Sequence, residues 1–281
     1  MDPLVRILIS TTVVILLSWT SNCSAQEKNE KTVRLGIFQR TVELYPDLGG
    51  RVWGFSVIAD VFELIGYEVQ TFNIPVRRIP VSLANNEIDV GWGSEEGMEV
   101  VNDTFLRSNY PVSLVPFMVY YDHRNDWKPS WPPDDIFTSK AGTSTQSSRT
   151  LKEVYGLQIN QTTSFDVNLK MVNMGRADYC IDHIGGFGSA TSGLQKSDDE
   201  GFAFETLFHR GIYAWFQDTE RGRQLREDFD RGLIELLKQG RLGKSYCHKI
   251  DCPVEQEQVT AVMEMVNKEN PGLNLPAQPV K

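Results

Sequence analysis

One joint is written twice in this chain. "LANNEIDVGWG" (83–93) and "NMGRADYCID" (173–182) each end a helix, turn through Asn or Gly, and enter a short apolar strand marked by aspartate, about ninety residues apart. An unpaired carboxylate inside a buried strand is costly, so the places of these aspartates carry information. Asp89 and Asp178 fall at strand beginnings, where helix or turn amides can take them. Asp182 falls at a strand's far end, where a carboxylate meets solvent or a ligand. A joint repeated at this spacing predicts two similar α/β lobes.

The segments around each joint agree. "TVRLGIF" (32–38) reads as a strand, and "QRTVELYPDLGGRVW" (39–53) as a loop. "GFSVIADVFELIGY" places Phe55, Ile58, Ala59, Phe62 and Ile65 at three- and four-residue steps, which predicts an amphipathic helix stopped by Gly66. "EVQTFNIP" reads as a second strand, "VRRIPVSLANNE" as a short helix interrupted early by Pro80, and "IDVGWG" as a third strand. Strand, helix, strand, helix, strand predicts a parallel sheet wrapped by helices. The second half repeats the rhythm. "LVPFMVYY" is a strand, "DHRNDWKPSWPPDDI" a surface loop, and a helix begins after Gly142. The strand "LQINQTT", a helix with Ser164 as its N-cap, the strands "ADYCID" and "IYAWFQ", and a long helix over about 219–239 follow. After Pro253 come one short amphipathic segment, "VTAVMEMV", and a Pro-punctuated tail expected to be mobile.

The chain of 281 residues, 41% hydrophobic, is long enough for one large or two medium domains. A net charge of −9 argues against a nucleic-acid partner. The N-terminus has Arg6, an apolar run too short to span a bilayer comfortably, and small residues ending at Ala25. That is the pattern of a cleavable secretory signal over 1–25, so the mature chain is expected to start at Gln26 in the periplasm. A lipoprotein anchored through Cys23 is the rival, but Thr20, Ser21 and Asn22 lack the aliphatic residue a lipobox wants. In an oxidising compartment Cys247 and Cys252, bracketing "CHKIDC", are expected to pair as a disulfide. Cys180 is left inside an apolar strand as a small buried hydrophobe. Zinc on Cys247, His248 and Cys252 lacks a fourth ligand at finger-like spacing, so neither a metal nor a cofactor is expected.

The order of these pieces resembles the extracytoplasmic solute-binding proteins of the amino-acid-binding type, family 3 of the ABC-transporter receptors. The likeness covers about 33–246. It rests on "LGIF…GFSVIADVFELIGYEVQTFNIP", "VSLANNEIDVGWG", "MVNMGRADYCID" and "GIYAWFQDTERGRQLREDFDRGLIELLKQGRLGKSY". It implies a type II periplasmic-binding-protein fold: two similar α/β lobes joined by two crossover strands, with a cleft between them. Lobe one would comprise 26–113 and a return segment, 213–253; lobe two would comprise 114–212, and 254–281 would be a C-terminal extension. Two features of the family are missing. The segment after the third strand, "GSEEGMEVVNDTF", has no carboxylate-gripping Arg, and the position of the amino-group Asp is His183, with Asp182 just before it.

Candidate ligand groups therefore come from loops at strand ends, where open α/β sheets bind their ligands. These are Phe38, Arg40, Glu43 and Tyr45 after the first strand, Arg78 after the second, and Trp92, Ser94 and Glu95 at the third. In lobe two they are Thr143, Ser144 and Thr145 at a helix start, whose free amides favour an anion, with Asp182 and His183. Each has a plainer alternative: a surface ion pair for the arginines, core packing for Trp92, a hinge role for His183. Trp53 stands between core and cleft wall.

The expected function is capture of a small polar solute, anionic or amino-acid-like, for an ABC permease or a membrane sensor, by a monomer. An orphan periplasmic sensor is the alternative. A dehydratase-like enzyme using Asp182, His183 and Glu95 as acid and base is disfavoured, since no nucleophile elbow, metal-binding helix pair or phosphate loop is written.

Overall fold

A computed structural model of the chain describes residues 31–98, 105–122, 124, 141–144, 159–162, 165–183, 202–246, 255–273 and 275. The secretory signal, Thr145, Cys247 and Cys252 lie outside the described residues. Among the described residues no helix is long and apolar enough to cross a membrane.

The sheets build from two centres. β1 (Thr32–Phe38) and β2 (Glu68–Ile74) pair in parallel, and Leu35 bridges Val90 on the other edge of β1. The chain then enters β3 (Gly91–Gly93), which lies antiparallel to the sixteen-residue β9 (Phe202–Gln217). β4 (Phe105–Arg107) and then β5 (Ser113–Asp122) pair antiparallel with the same strand. β5 next pairs with β8 (Tyr179–His183), and β6 (Ala141–Ser144) lies parallel between β8 and β7 (Ile159–Thr162). The strands around β1 thus read β2-β1-β3-β9-β4 and those around β6 read β7-β6-β8-β5-β9, a matching order in which β9 takes the fourth place in the first and β5 the fourth place in the second.

Each sheet has its own core. The larger apolar cluster holds Leu35, Ile37, Phe55, Phe62, Leu83, Val112, Leu114, Ile212, Phe216, Phe229 and Leu233. Two smaller clusters lie around lobe two's sheet, one with Phe117, Val119, Tyr179 and Ile181, the other with Met118, Tyr120, Val172 and Cys180. The changeover falls inside the crossover strands, between Leu114 and Phe117 on β5 and between Phe208 and Ile212 on β9. One residue further, on the lobe-two side, the ladder shifts register: Phe117 faces Phe208 but Met118 faces Thr206, so Leu207 is an extra residue in β9, a β-bulge.

The helices follow their sequence signals with some corrections. The segment 39–53 is not all loop. It contains α1 (Gln39–Leu44) and a 3-10 turn, Pro46–Leu48, before α2 (Trp53–Leu64). Pro80 does not interrupt its helix; it lies in the first turn of α3 (Ile79–Ala84), where its missing N–H would have had no partner anyway. Short α4 (Glu95–Met98) follows β3, and α5 (Phe165–Asn173) precedes β8. The strand read as 212–217 begins at Phe202, because a crossover strand runs through both lobes and Gly211 does not end it. α6 (Glu220–Lys238) is capped by the Thr219 side chain, which accepts from the Gly222 N–H at 3.1 Å. α7 (Leu242–Tyr246) follows. The C-terminal segment is also corrected. It forms a fifteen-residue helix, α8 (Glu255–Glu269), whose Val259, Val262, Met263 and Val266 join the lobe-one core, as does Leu275 beyond it.

Candidate functional site

Register locates the strand ends. β3 ends with Gly93 opposite Tyr213, and β8 ends with His183 opposite Phe117, which itself faces Phe208. The two carboxyl ends therefore point toward each other along the β5–β9 ladder, β3 ending on β9 and β8 on β5, separated by the run from Phe208 to Tyr213. At about 3.3 Å per residue this is roughly 17 Å.

On the lobe-one side aromatic rings gather at the ends of β1 and β3. Phe38 is buried, edge-on to Phe55 with centroids 4.8 Å apart, and 5.1 Å from Trp92. Trp92 is half-buried and 4.7 Å from Phe55. Its indole presses on the first turn of α2, where a Cβ added at Gly54 would stand 2.2 Å from Nε1. Only glycine fits this approach. Trp92 thus packs against lobe one, and its buried Nε1–H has no acceptor among the described residues. Half-buried Tyr45 and Trp53 meet edge-on at 5.5 Å. Trp53 opens α2 at φ +50°, a left-handed conformation disfavoured for a bulky side chain.

The charged candidates divide. Arg40 lies in α1 and not in a loop, and its side chain is outside what the structure describes. Glu43 is exposed and accepts a hydrogen bond from Gln39 Nε2 at 3.1 Å within that helix. Arg78 is exposed at the end of a 3-10 turn directly after β2. Ser94 is half-buried, directly after β3. Glu95 pairs with Arg107 from β4. Thr143 and Ser144 close strand β6, so they precede any helix there, and Asp182 and His183 close β8. The side chains of these four lie outside the described residues.

Arg107 was not singled out in the sequence. Its guanidinium lies 4.2 Å from the centroid of the Tyr213 ring, a cation–π contact. The signal available was weak: an Arg closing a three-residue apolar stub, "FLR", beyond the segment that lacks the expected Arg. Asp89 proves structural, held by a neighbouring strand instead of turn amides alone. Its Oδ2 accepts the Arg34 N–H at 2.9 Å and Nε–H at 3.1 Å, and Oδ1 accepts from Nη2 at 2.8 Å. Burial by itself would raise this carboxyl, but the hydrogen bonds and charge of Arg34, with the charge of Arg221, outweigh it and hold the group below its ordinary value. So the aspartate of the first joint ties β1 to the start of β3 and is remote from the strand ends.

No family model and no curated protein matches the sequence. Solved structures do. A histidine kinase sensor domain with similarity to periplasmic binding proteins aligns with 76% of this chain and 94% of its own at 15% identity, TM-score 0.53. An ancestral arginine-binding protein bound to glutamine aligns with 77% and 96% at 18% identity, TM-score 0.51. The GluR0 ligand-binding core from Nostoc punctiforme with L-glutamate aligns with 76% and 96% at 15% identity, TM-score 0.51. The chain has the two-lobed periplasmic-binding-protein fold. In this binding-protein fold the matching strand orders are the two lobes, and β5 and β9 are the crossovers between them.

Proposed function

We propose that the protein is an extracytoplasmic solute-binding protein that captures a small polar solute between its lobes, closes about β5 and β9, and releases the solute unchanged to an ABC transporter. One observation carries this reading: the carboxyl ends of β3 and β8 meet the crossover strands from opposite sides, with aromatic rings and an exposed ion pair at the lobe-one end. Ligands of open α/β sheets bind at such ends, and a break between two cores at paired strands suits hinge closure. Support for capture without turnover is fold-level: the solved structures that the chain resembles are binding and sensing proteins.

The reading is tested by purifying the exported chain natively, releasing any co-purified solute by mild denaturation, and identifying it by mass spectrometry. Returned to the stripped protein, the solute should bind stoichiometrically and reduce the radius of gyration in small-angle scattering. A tight ligand that leaves the radius unchanged defeats the closure mechanism. A second reading, a sensor that signals to a membrane partner, is favoured by the likeness to a histidine kinase sensor domain. Solute-dependent stimulation of a reconstituted permease's ATPase would favour transport over sensing.

A further inference from the structure

The solute-binding reading needs a cation to hold an anionic solute, and "GSEEGMEVVNDTF" supplies none. The cation arrives from β4. β3 and β4 flank β9, with Gly93 opposite Tyr213 and Arg107 opposite Trp215. Cross-strand partners share a face, and so do residues two apart along a strand. Arg107, Trp215, Tyr213 and Gly211 therefore lie on one face, in a row running from β4 toward the crossover. Tyr213 does not stand upright in that row. A Cβ at Gly211 would lie 2.7 Å from its Cε2 and its hydroxyl oxygen, so the ring lies back over the bare backbone of Gly211. The Arg107 guanidinium rests on that ring at 4.2 Å. Backbone, ring and guanidinium form three layers beside the β3 strand end.

The counter-ion is Glu95, which opens α4 two residues after β3 and pairs with the Arg107 Nη1. The side chains are 38% and 45% exposed. This differs from the Arg34–Asp89 pair, in which the carboxylate is 8% exposed and also holds a backbone amide. An exposed pair contributes little to stability, so exchanging its carboxylate for another costs little. The ring holds the guanidinium whether or not Glu95 stays. A planar guanidinium fixed through its face leaves its N–H edge free for a bidentate partner.

We infer that Arg107 on Tyr213 is the anion seat of the cleft and that Glu95 is its internal, exchangeable occupant: a solute carboxylate binds by displacing the Glu95 carboxylate into water. The exchange is charge-neutral at the guanidinium, so Glu95 acts as a built-in competitor that weakens anion binding. This rests on the solute-binding reading, and it assigns the cation of that site to β4, outside the segment where the sequence lacks its arginine.

The test uses the full mature chain and five probes: acetate, propionate, succinate, malate and benzoate, titrated calorimetrically at low and high salt. At least one should bind, with affinity falling as salt rises. Glu95→Gln should tighten it by about fivefold, the equivalent of losing a competing exposed pair. Arg107→Gln should abolish it. Arg107→Lys, which keeps the charge without the fork, should weaken it severalfold, and Tyr213→Phe should leave it intact where Tyr213→Ala does not. The inference is overturned if no probe binds wild type or Glu95→Gln, if Glu95→Gln fails to tighten binding, or if Arg107→Gln retains it. A co-purified solute that binds and compacts Arg107→Gln as it does wild type removes the seat and leaves the solute-binding reading standing. Absence of compaction in wild type with any bound solute counts against that reading itself.

Discussion

Asp228 and Asp230 sit two positions apart on α6, both buried, and are treated very differently by their surroundings. Asp228 accepts from the Tyr67 hydroxyl at 2.5 Å, from Gln224 Nε2 at 3.1 Å and from Arg231. Burial and this carboxylate push the Tyr67 hydroxyl up to about 12. Asp230 has the Asn109 N–H at 2.9 Å on Oδ1, while its Oδ2 is buried without a donor among the described residues. Burial raises its carboxyl from 3.8 to about 6; the Asn109 N–H and the charge of Arg226 only partly oppose this, and Glu227 adds to it. The sign follows. A carboxyl with a raised folded-state value favours the fold fully below about pH 4, and that contribution is lost as pH climbs through 6. At pH 7 the ionised group costs on the order of 3 kcal/mol. Asp230→Asn keeps the acceptor for Asn109 but leaves an unpaired N–H, at about 1–2 kcal/mol. It should therefore stabilise the protein by about 1–2 kcal/mol at pH 7 and destabilise it by a similar amount at pH 4. Urea unfolding across that range decides the matter; a variant difference that does not change with pH refutes the assignment. The sequence around these two aspartates shows neither Tyr67 nor Asn109, the partners that come from more than a hundred residues away.

At the scale of elements, periodicity made the long helices legible and left the short ones obscure. α2 was readable because Phe55, Ile58, Ala59 and Phe62 recur at helical steps in the sequence, and α6 because it runs for nineteen residues with its buried residues at such steps. α1 has six residues and a buried Thr41, too few for a period to show. α8 was legible only as the short amphipathic segment "VTAVMEMV", and what its Val259, Val262, Met263 and Val266 cover is shown by the lobe-one core. The close meeting of α2 and α6 was hidden too. A Cβ at Gly232 would stand 2.9 Å from Val61 Cγ1, 3.1 Å from Ile65 Cγ2 and 3.3 Å from the Val61 carbonyl oxygen. Glycine in a helix interior costs about 1 kcal/mol relative to alanine, and here that cost permits the approach. Gly232→Val should separate the helices and destabilise lobe one by at least about 2 kcal/mol, as overpacking does. Thermal and denaturant unfolding measure this. A Gly232→Val protein as stable as wild type would mean that the two helices can part freely.

For the molecule as a whole, the doubled joint was a sound guide because it records topology: two sheets of one order need two helix-to-strand entries at equivalent places. It could not show the seam, since a bulge in β9 is a matter of register and "TLFHR" carries no mark of it. In the proposed closure the seam is where bending would concentrate. Phe117 and Phe208 stack at 4.9 Å with rings 8° from parallel, and Arg210 lies 4.2 Å over Phe117, so the crossover is packed on the lobe-one side of the extra residue. Packed ladders resist bending, whereas a bulge unpairs one residue and bends its strand locally. Deleting Leu207 keeps the pairs Phe117–Phe208 and Met118–Thr206 but makes the ladder continuous, at the loss of one side chain packed against the lobe-two core. The shortened chain should fold with an unchanged far-ultraviolet spectrum, lose about 1–3 kcal/mol of stability, and lose most of its solute-induced compaction. Scattering with and without the co-purified solute reads this directly, and full compaction in the deletion variant would move the hinge elsewhere along β5 and β9.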